Sequence, residues 1–161
     1  MRTHARDLRG EHVLCKQPEW FAEDPVTLLL PWNRACVVGI QAMDDQHAIV
    51  MDTMNELRLA LVRGAKPEPA DELLKRLIEF TRMHFWSEEQ LMEQHGFPGL
   101  AGHRAEHQHL LAQLLESARR LQHGEAVNRG DVLLFLHDWF IGHVEGLDQQ
   151  YGPWLNEHGV Y

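Results

Sequence analysis

Twelve of the 161 residues are histidine, and several stand at spacings that can build a metal site. His84 and Glu88 are four residues apart, as are His103 and His107. Residues at i and i+4 share one face of an α-helix, so each pair can aim at a single point. His47 and His143 are further candidates, and Asp148 follows His143 by five positions. Imidazole is the commonest protein ligand for metals, and a carboxylate adds oxygen donors. Taken singly, each pair is weak evidence: a chain this rich in histidine yields about one H-x-x-x-H and about one H-x-x-x-E by chance.

The bland alternative is five unrelated histidines and two surface carboxylates. Burying five unpaired imidazoles, or a carboxylate without a metal or charge partner, is costly, which weighs against that alternative if the residues lie in a core. The other seven, His4, His12, His95, His109, His123, His137 and His158, read as solvated or capping residues. His95 and His123 sit where helices are expected to end, a place that favours a cation.

Four helical segments must position these side chains. The first is expected from about Asp44, an N-cap candidate, to Arg63, with Ile49, Val50, Met54, Leu57 and Leu61 on its apolar stripe and Gly64 as its stop. The Gly- and Pro-rich linker 64–69 breaks the pattern. A second segment runs from about Ala70 to His95, and Gly96 and Pro98 end it. A third runs from about Gly99 to His123, buries Leu110, Leu111, Leu114, Leu115 and Leu121, and stops at Gly124. The fourth spans about Asp131 to Gly146. No stretch alternates with period two, so the expected fold is all-α. Short connections favour antiparallel neighbours, giving an up-down-up-down four-helix bundle over residues 32–161 with an N-terminal extension, residues 1–31. Leu28 to Leu30 are expected to pack on the bundle.

In such a bundle the start of the first helix meets the end of the second, the start of the third and the end of the fourth. His47, His84, Glu88, His103, His107 and His143 then lie within about 16 Å of one end, at 1.5 Å rise per residue. Five imidazoles and two carboxylates exceed what one tetrahedral zinc can use. They suit two transition-metal ions of higher coordination number, and imidazole-rich sites suit iron, copper, nickel or zinc.

At these residues the chain resembles the bacterial hemerythrins. Gly39-Ile40-x-x-Met43-Asp44-x-Gln46-His47 is similar to that family's G-I-x-x-[IM]-D-x-Q-H, and His84-Phe85-x-x-Glu88-Glu89-x-x-Met92 to its H-F-x-x-E-E-x-x-M. His103-x-x-x-His107 and His143-x-x-x-x-Asp148 follow in order, with Val144 where isoleucine is usual. The match covers residues 32 to about 150. The resemblance implies two iron ions as cofactor: one held by His103, His107 and His143, the other by His47 and His84. Glu88, Asp148 and an oxo or hydroxo group would bridge them, and dioxygen would be taken up at the open position of the two-histidine iron. Few carboxylates among many neutral imidazoles should favour the diferrous state and reversible binding. Met51, Phe80, Leu110, Leu111, Trp139 and Phe140, near the ligands, are the expected lining of a dry pocket.

Composition narrows the remaining classes. The chain is 44% hydrophobic and 24% charged, enough for one domain with a real core. Its formal charge of -9 disfavours nucleic-acid backbones and anionic membranes as partners. The run Val26 to Pro31 is too short to span a bilayer, and Met1 to Gly10 carries no apolar signal segment. Cys15 and Cys36 read as ordinary thiols of a reducing compartment, so a cytoplasmic location is expected. The leading expectation is a non-enzymatic protein that binds dioxygen for storage, delivery or sensing. The alternative is a di-iron enzyme acting on peroxide, nitric oxide or dioxygen. A regulatory module that meets a protein partner through residues 1–31 is the third.

Overall fold

The computed structural model describes residues 29–31, 34–62, 67–123 and 128–161. Expectations for Met1 to Gly10, His4, His12, Cys15, Leu28, and for Gly64 and Gly124 as helix stops lie outside the described residues. A short 3-10 helix, Arg34–Cys36, leads into α1 (Gln41–Val62), α2 (Pro67–Gln94), α3 (Leu100–Gln122) and α4 (Arg129–His143). A single π turn, Val144–Asp148, then joins α4 to α5 (Gln149–Glu157). No strand occurs among the described residues.

Helix α1 packs on α2, α2 on α3, and α4 on both α1 and α3. The directions alternate. Arg129 at the start of α4 donates to the Leu61 carbonyl at the end of α1, and Arg76 near the start of α2 reaches Glu56 late in α1. The chain is therefore the expected up-down-up-down bundle. Its fourth strut continues past Gly146, where the sequence reading stopped it.

Heptad-like apolar spacing supplies the core. Met54, Leu57, Leu77, Leu114 and Leu136 are fully buried, each contributing about 1.5–3 kcal/mol relative to exposure. Ile49 and Leu115, expected on buried stripes, are exposed instead. Each adjoins a buried residue (Val50 and Leu114) but falls just outside the arc that its helix turns inward, since successive residues step about 100° around the axis. Leu29 and Leu30 are buried in the same core, and Leu30 exchanges two backbone hydrogen bonds with the Asn55 side chain at 3.0 Å each. A smaller apolar cluster holds Val38, Ile40, Met43, Met92, Tyr151 and Leu155.

Helix ends explain two differences from the sequence reading. Asp44 is not an N-cap. It lies inside the first turn of α1, and its carboxylate reaches back to accept from the backbone N–H of Val38 at 2.8 Å and of Gly39 at 3.2 Å. Pro67 opens α2 before the expected Ala70, because the first turn of a helix needs no N–H donor. Gly96 does end α2: it takes φ +70, and Phe97 N–H bonds back to the Met92 carbonyl at 2.8 Å. No helix among the described residues is long and apolar enough to cross a membrane.

Candidate metal centre

The antiparallel order brings all seven candidate residues to one place. His47 sits in the second turn of α1, His84 and Glu88 in the second half of α2, His103 and His107 in the first half of α3, and His143 at the last position of α4. Asp148 arrives by a different device. Five residues in a plain α-helix rotate a side chain far from its starting face, but the i→i+5 spacing of a π turn returns it. Val144–Asp148 is that turn, so His143 and Asp148 face the same site. The fourth helix was expected to end at about Gly146, before Asp148; the π turn carries it on and brings Asp148 to the face of His143.

Each of the seven is at most 6% exposed, and Glu88, His47 and Asp148 are fully buried. Their donor atoms form two groups, each with all atoms within 4.8 Å of one another. One is Glu88, His103, His107 and His143; the other is His47, His84, Glu88 and Asp148. Glu88 stands between them. Its Oε2 faces His107 Nε2 at 3.2 Å and His103 Nε2 at 3.4 Å, while Oε1 faces His84 Nε2 at 3.6 Å. Asp148 divides in the same way: Oδ1 lies 3.2 Å from His143 Nε2 and 3.4 Å from His103 Nε2, and Oδ2 lies 3.3 Å from His47 Nε2. Each carboxylate thus presents one oxygen to each group.

Polar satisfaction tests whether metal ions fit here. Among the described residues, His47 Nε2 and both oxygens of Asp148 are buried without hydrogen-bond geometry to any partner, although His47 and Asp148 approach to 3.3 Å. His107 Nε2 and His143 Nε2 meet at 3.1 Å. Orphaned acceptors and crowded ring nitrogens inside a core are costly unless something positive lies among them. The residues fit a pair of cations.

Electrostatics in the metal-free site agree. Burial, reinforced by Glu88, pushes Asp148 up to about 7. Burial lowers His84 to about 4 and His143 to about 2. Glu88 is also buried, but the surrounding imidazoles, His84 first, outweigh that and hold it well below the usual carboxylate range. Burial works against a charged His47, yet Asp148 beside it raises its pKa overall. Neutral imidazole is the ligand form, so the lowered histidines are already prepared to bind.

Several contributing residues were missed or given no role. Tyr151, on α5, donates its hydroxyl to Glu88 Oε1 in a short hydrogen bond. It follows the π turn, beyond the point where the helix was expected to stop. Gln46 and Glu89 stood inside the quoted motifs. The Gln46 amide oxygen lies 3.1 Å from His84 Nδ1, and Glu89 Oε1 lies 2.8 Å from His107 Nδ1. Phe85 stacks on the His107 ring at 3.7 Å. The five other described histidines, His95, His109, His123, His137 and His158, are exposed or half-buried and join neither group.

Beside His84 and His143 lies a cavity of about 10 Å³, the room of roughly one water-sized molecule. Val50, Thr81, Phe85, Trp139, Phe140 and Val144 complete its wall. Of the expected lining only Trp139 and Phe140 are present; Met51, Phe80, Leu110 and Leu111 are not part of it. The cavity lies among α1, α2, α4 and the π turn, so α3 leucines cannot reach it. The positions that do include His47 plus three (Val50), His84 minus three (Thr81) and His143 minus three and minus four (Phe140 and Trp139).

Residues 38–155 match the hemerythrin HHE cation binding domain family. The chain is 34% identical over 129 residues to a bacteriohemerythrin of Methylococcus capsulatus, covering 80% of this chain and 98% of that protein. It is 26% identical over 120 residues to a myohemerythrin of Sipunculus nudus, covering 74% and 88%. A solved structure of wild-type hemerythrin superposes with a TM-score of 0.72 at 32% identity, covering 78% of this chain and 96% of that one.

Proposed function

The chain belongs to the hemerythrin family, and from that premise we propose that it binds dioxygen reversibly at a di-iron centre, for storage, delivery or sensing. His103, His107 and His143 would hold one iron, His47 and His84 the other, and Glu88 and Asp148 would bridge them. The observation that carries this reading is the division of both carboxylates, one oxygen toward each imidazole group. Two ferrous ions bound there would supply the electrons with which dioxygen is taken up.

The chain's own residues account for the rest. Five neutral imidazoles and two carboxylates leave little excess negative charge, which favours the reduced pair over high oxidation states. Val50, Phe85, Trp139, Phe140 and Val144 make the adjoining cavity mostly apolar and small, so bulk water is kept from the site. With both carboxylates shared, three imidazoles would serve one ion and two the other, which would leave coordination room on the His47–His84 side; His84 of that group and His143 of the other both border the cavity.

The test is spectroscopic. Reduced, iron-loaded protein exposed to oxygen should gain a visible charge-transfer band that disappears under vacuum and returns with oxygen. Irreversible bleaching with release of peroxide would sink the proposal and favour an oxidising enzyme.

A further inference from the structure

The two groups are not backed alike. His84 Nδ1 meets a neutral amide, the Oε1 of Gln46, at 3.1 Å. His107 Nδ1 meets a carboxylate, the Oε1 of Glu89, at 2.8 Å. A carboxylate only accepts, so Glu89 takes its hydrogen bond from the Nδ1–H of His107, and Nε2, which faces Glu88 and His143, is the nitrogen left to serve as ligand when a cation is bound. The other oxygen of Glu89 accepts from Arg104 Nε at 3.1 Å, and Arg104 Nη2 is held in turn by Glu93 at 2.8 Å. Phe85, stacked within 7° of parallel on His107, fixes the ring plane. Glu89 itself is half-buried, with a side chain 22% exposed, so its charge is only partly screened.

We propose that Glu89, held in place by Arg104, is a positioning residue that makes the three-histidine position the tighter and first-filled of the two. This rests on the metal-centre reading above and goes beyond it. An anionic acceptor behind an imidazole makes the ring a stronger donor through its far nitrogen and stabilises positive charge on the metal. An amide acceptor does so more weakly. The chain thus assigns its charged support to one ion and its neutral support to the other, the one with coordination room.

Chelator competition on the full chain loaded with Co²⁺ tests this, with bound metal counted by elemental analysis and coordination followed in the visible spectrum. The wild type should release its two ions in two separate steps. Glu89→Gln should move only the later step, to about 10–100-fold lower chelator. Gln46→Leu should move only the earlier step. Circular dichroism of the stripped variants checks that helix content is unchanged, and a general loss of folding would not shift one step selectively. The inference is overturned if Glu89→Gln shifts both steps together, shifts neither, or shifts the earlier one. A wild type that holds fewer than two ions overturns the metal-centre reading as well.

Discussion

Tyr151 on α5 donates its hydroxyl to Glu88 on α2, the carboxylate that stands between the two imidazole groups. The phenol is fully buried, and burial together with the Glu88 charge raises its pKa well above the ordinary value, so it remains a donor at any physiological pH. Tyr151→Phe removes one donor and leaves Glu88 to the imidazoles. A hydrogen bond to a charged group contributes about 1.5–3 kcal/mol, and the variant should lose stability of that order in urea denaturation of the metal-free protein. Chelator should also strip its metals more readily. An unchanged denaturation midpoint would show that the contact carries no weight.

How metals are lost should follow how oxygens are shared. Glu88 faces both groups, whereas His84 belongs to one. Elemental analysis should therefore find about two ions per chain in the wild type, about one in His84→Ala, and almost none in Glu88→Ala. One retained ion in both variants would mean that Glu88 does not join the pair.

Much of this was legible in the sequence, and the exceptions have physical causes. That the seven candidate residues could meet at one end of the bundle was readable because i, i+4 pairs and helix order are properties of spacing. Tyr151 was hidden because its partner lies 63 positions away and a glycine suggested a helix end before it. Gly146 instead sits in the π turn that returns Asp148 to the face of His143. The cavity wall was mostly misread because closeness to a candidate ligand along a helix does not say on which side of the site the space opens. Ile49 and Leu115 were misjudged because an apolar type was taken for an inward direction.

Acid should destabilise the metal-free protein. Between about pH 4 and 6.5 the unfolded chain carries protons on His84 and His143 that the folded chain refuses, since their folded values are about 4 and about 2. Over the same interval the folded chain keeps one extra proton on Asp148, whose folded value is about 7. Two outweigh one, so stability falls as pH drops from 6.5, by about 1.4 kcal/mol per pH unit for each net proton. Glu88, held low, adds to the loss below its ordinary value of 4.5. Above 6.5 the two lowered histidines are neutral in both states, and the raised Asp148 and His47 make stability decline as pH rises toward and through about 7. Denaturation midpoints across pH 4–8 should peak near 6.5, and a profile rising steadily toward acid would contradict the assignment.

Thr81 is 1% exposed, and its hydroxyl has no hydrogen-bond partner among the described residues. Removing an unsatisfied buried hydroxyl while keeping shape relieves a desolvation cost. Thr81→Val should stabilise the metal-free protein by about 1 kcal/mol, seen as a higher urea midpoint at unchanged slope. A lower midpoint would mean that the hydroxyl has a partner in solution.

Gly152 next to Tyr151 is where α5 meets the segment before α1. A Cβ built there would lie 2.2 Å from the Val38 carbonyl oxygen, a backbone atom that cannot swing aside. Val38 is itself tied by its N–H to Asp44, so the segment cannot easily retreat. Gly152→Ala should therefore push α5 outward, at about 1–3 kcal/mol of overpacking, and draw Tyr151 from Glu88. The two effects separate experimentally. In a Tyr151→Phe background, adding Gly152→Ala should still lower the denaturation midpoint but should change metal retention much less than it does in the wild type. Additive losses of metal retention would show that Gly152 acts on the site by a route other than Tyr151.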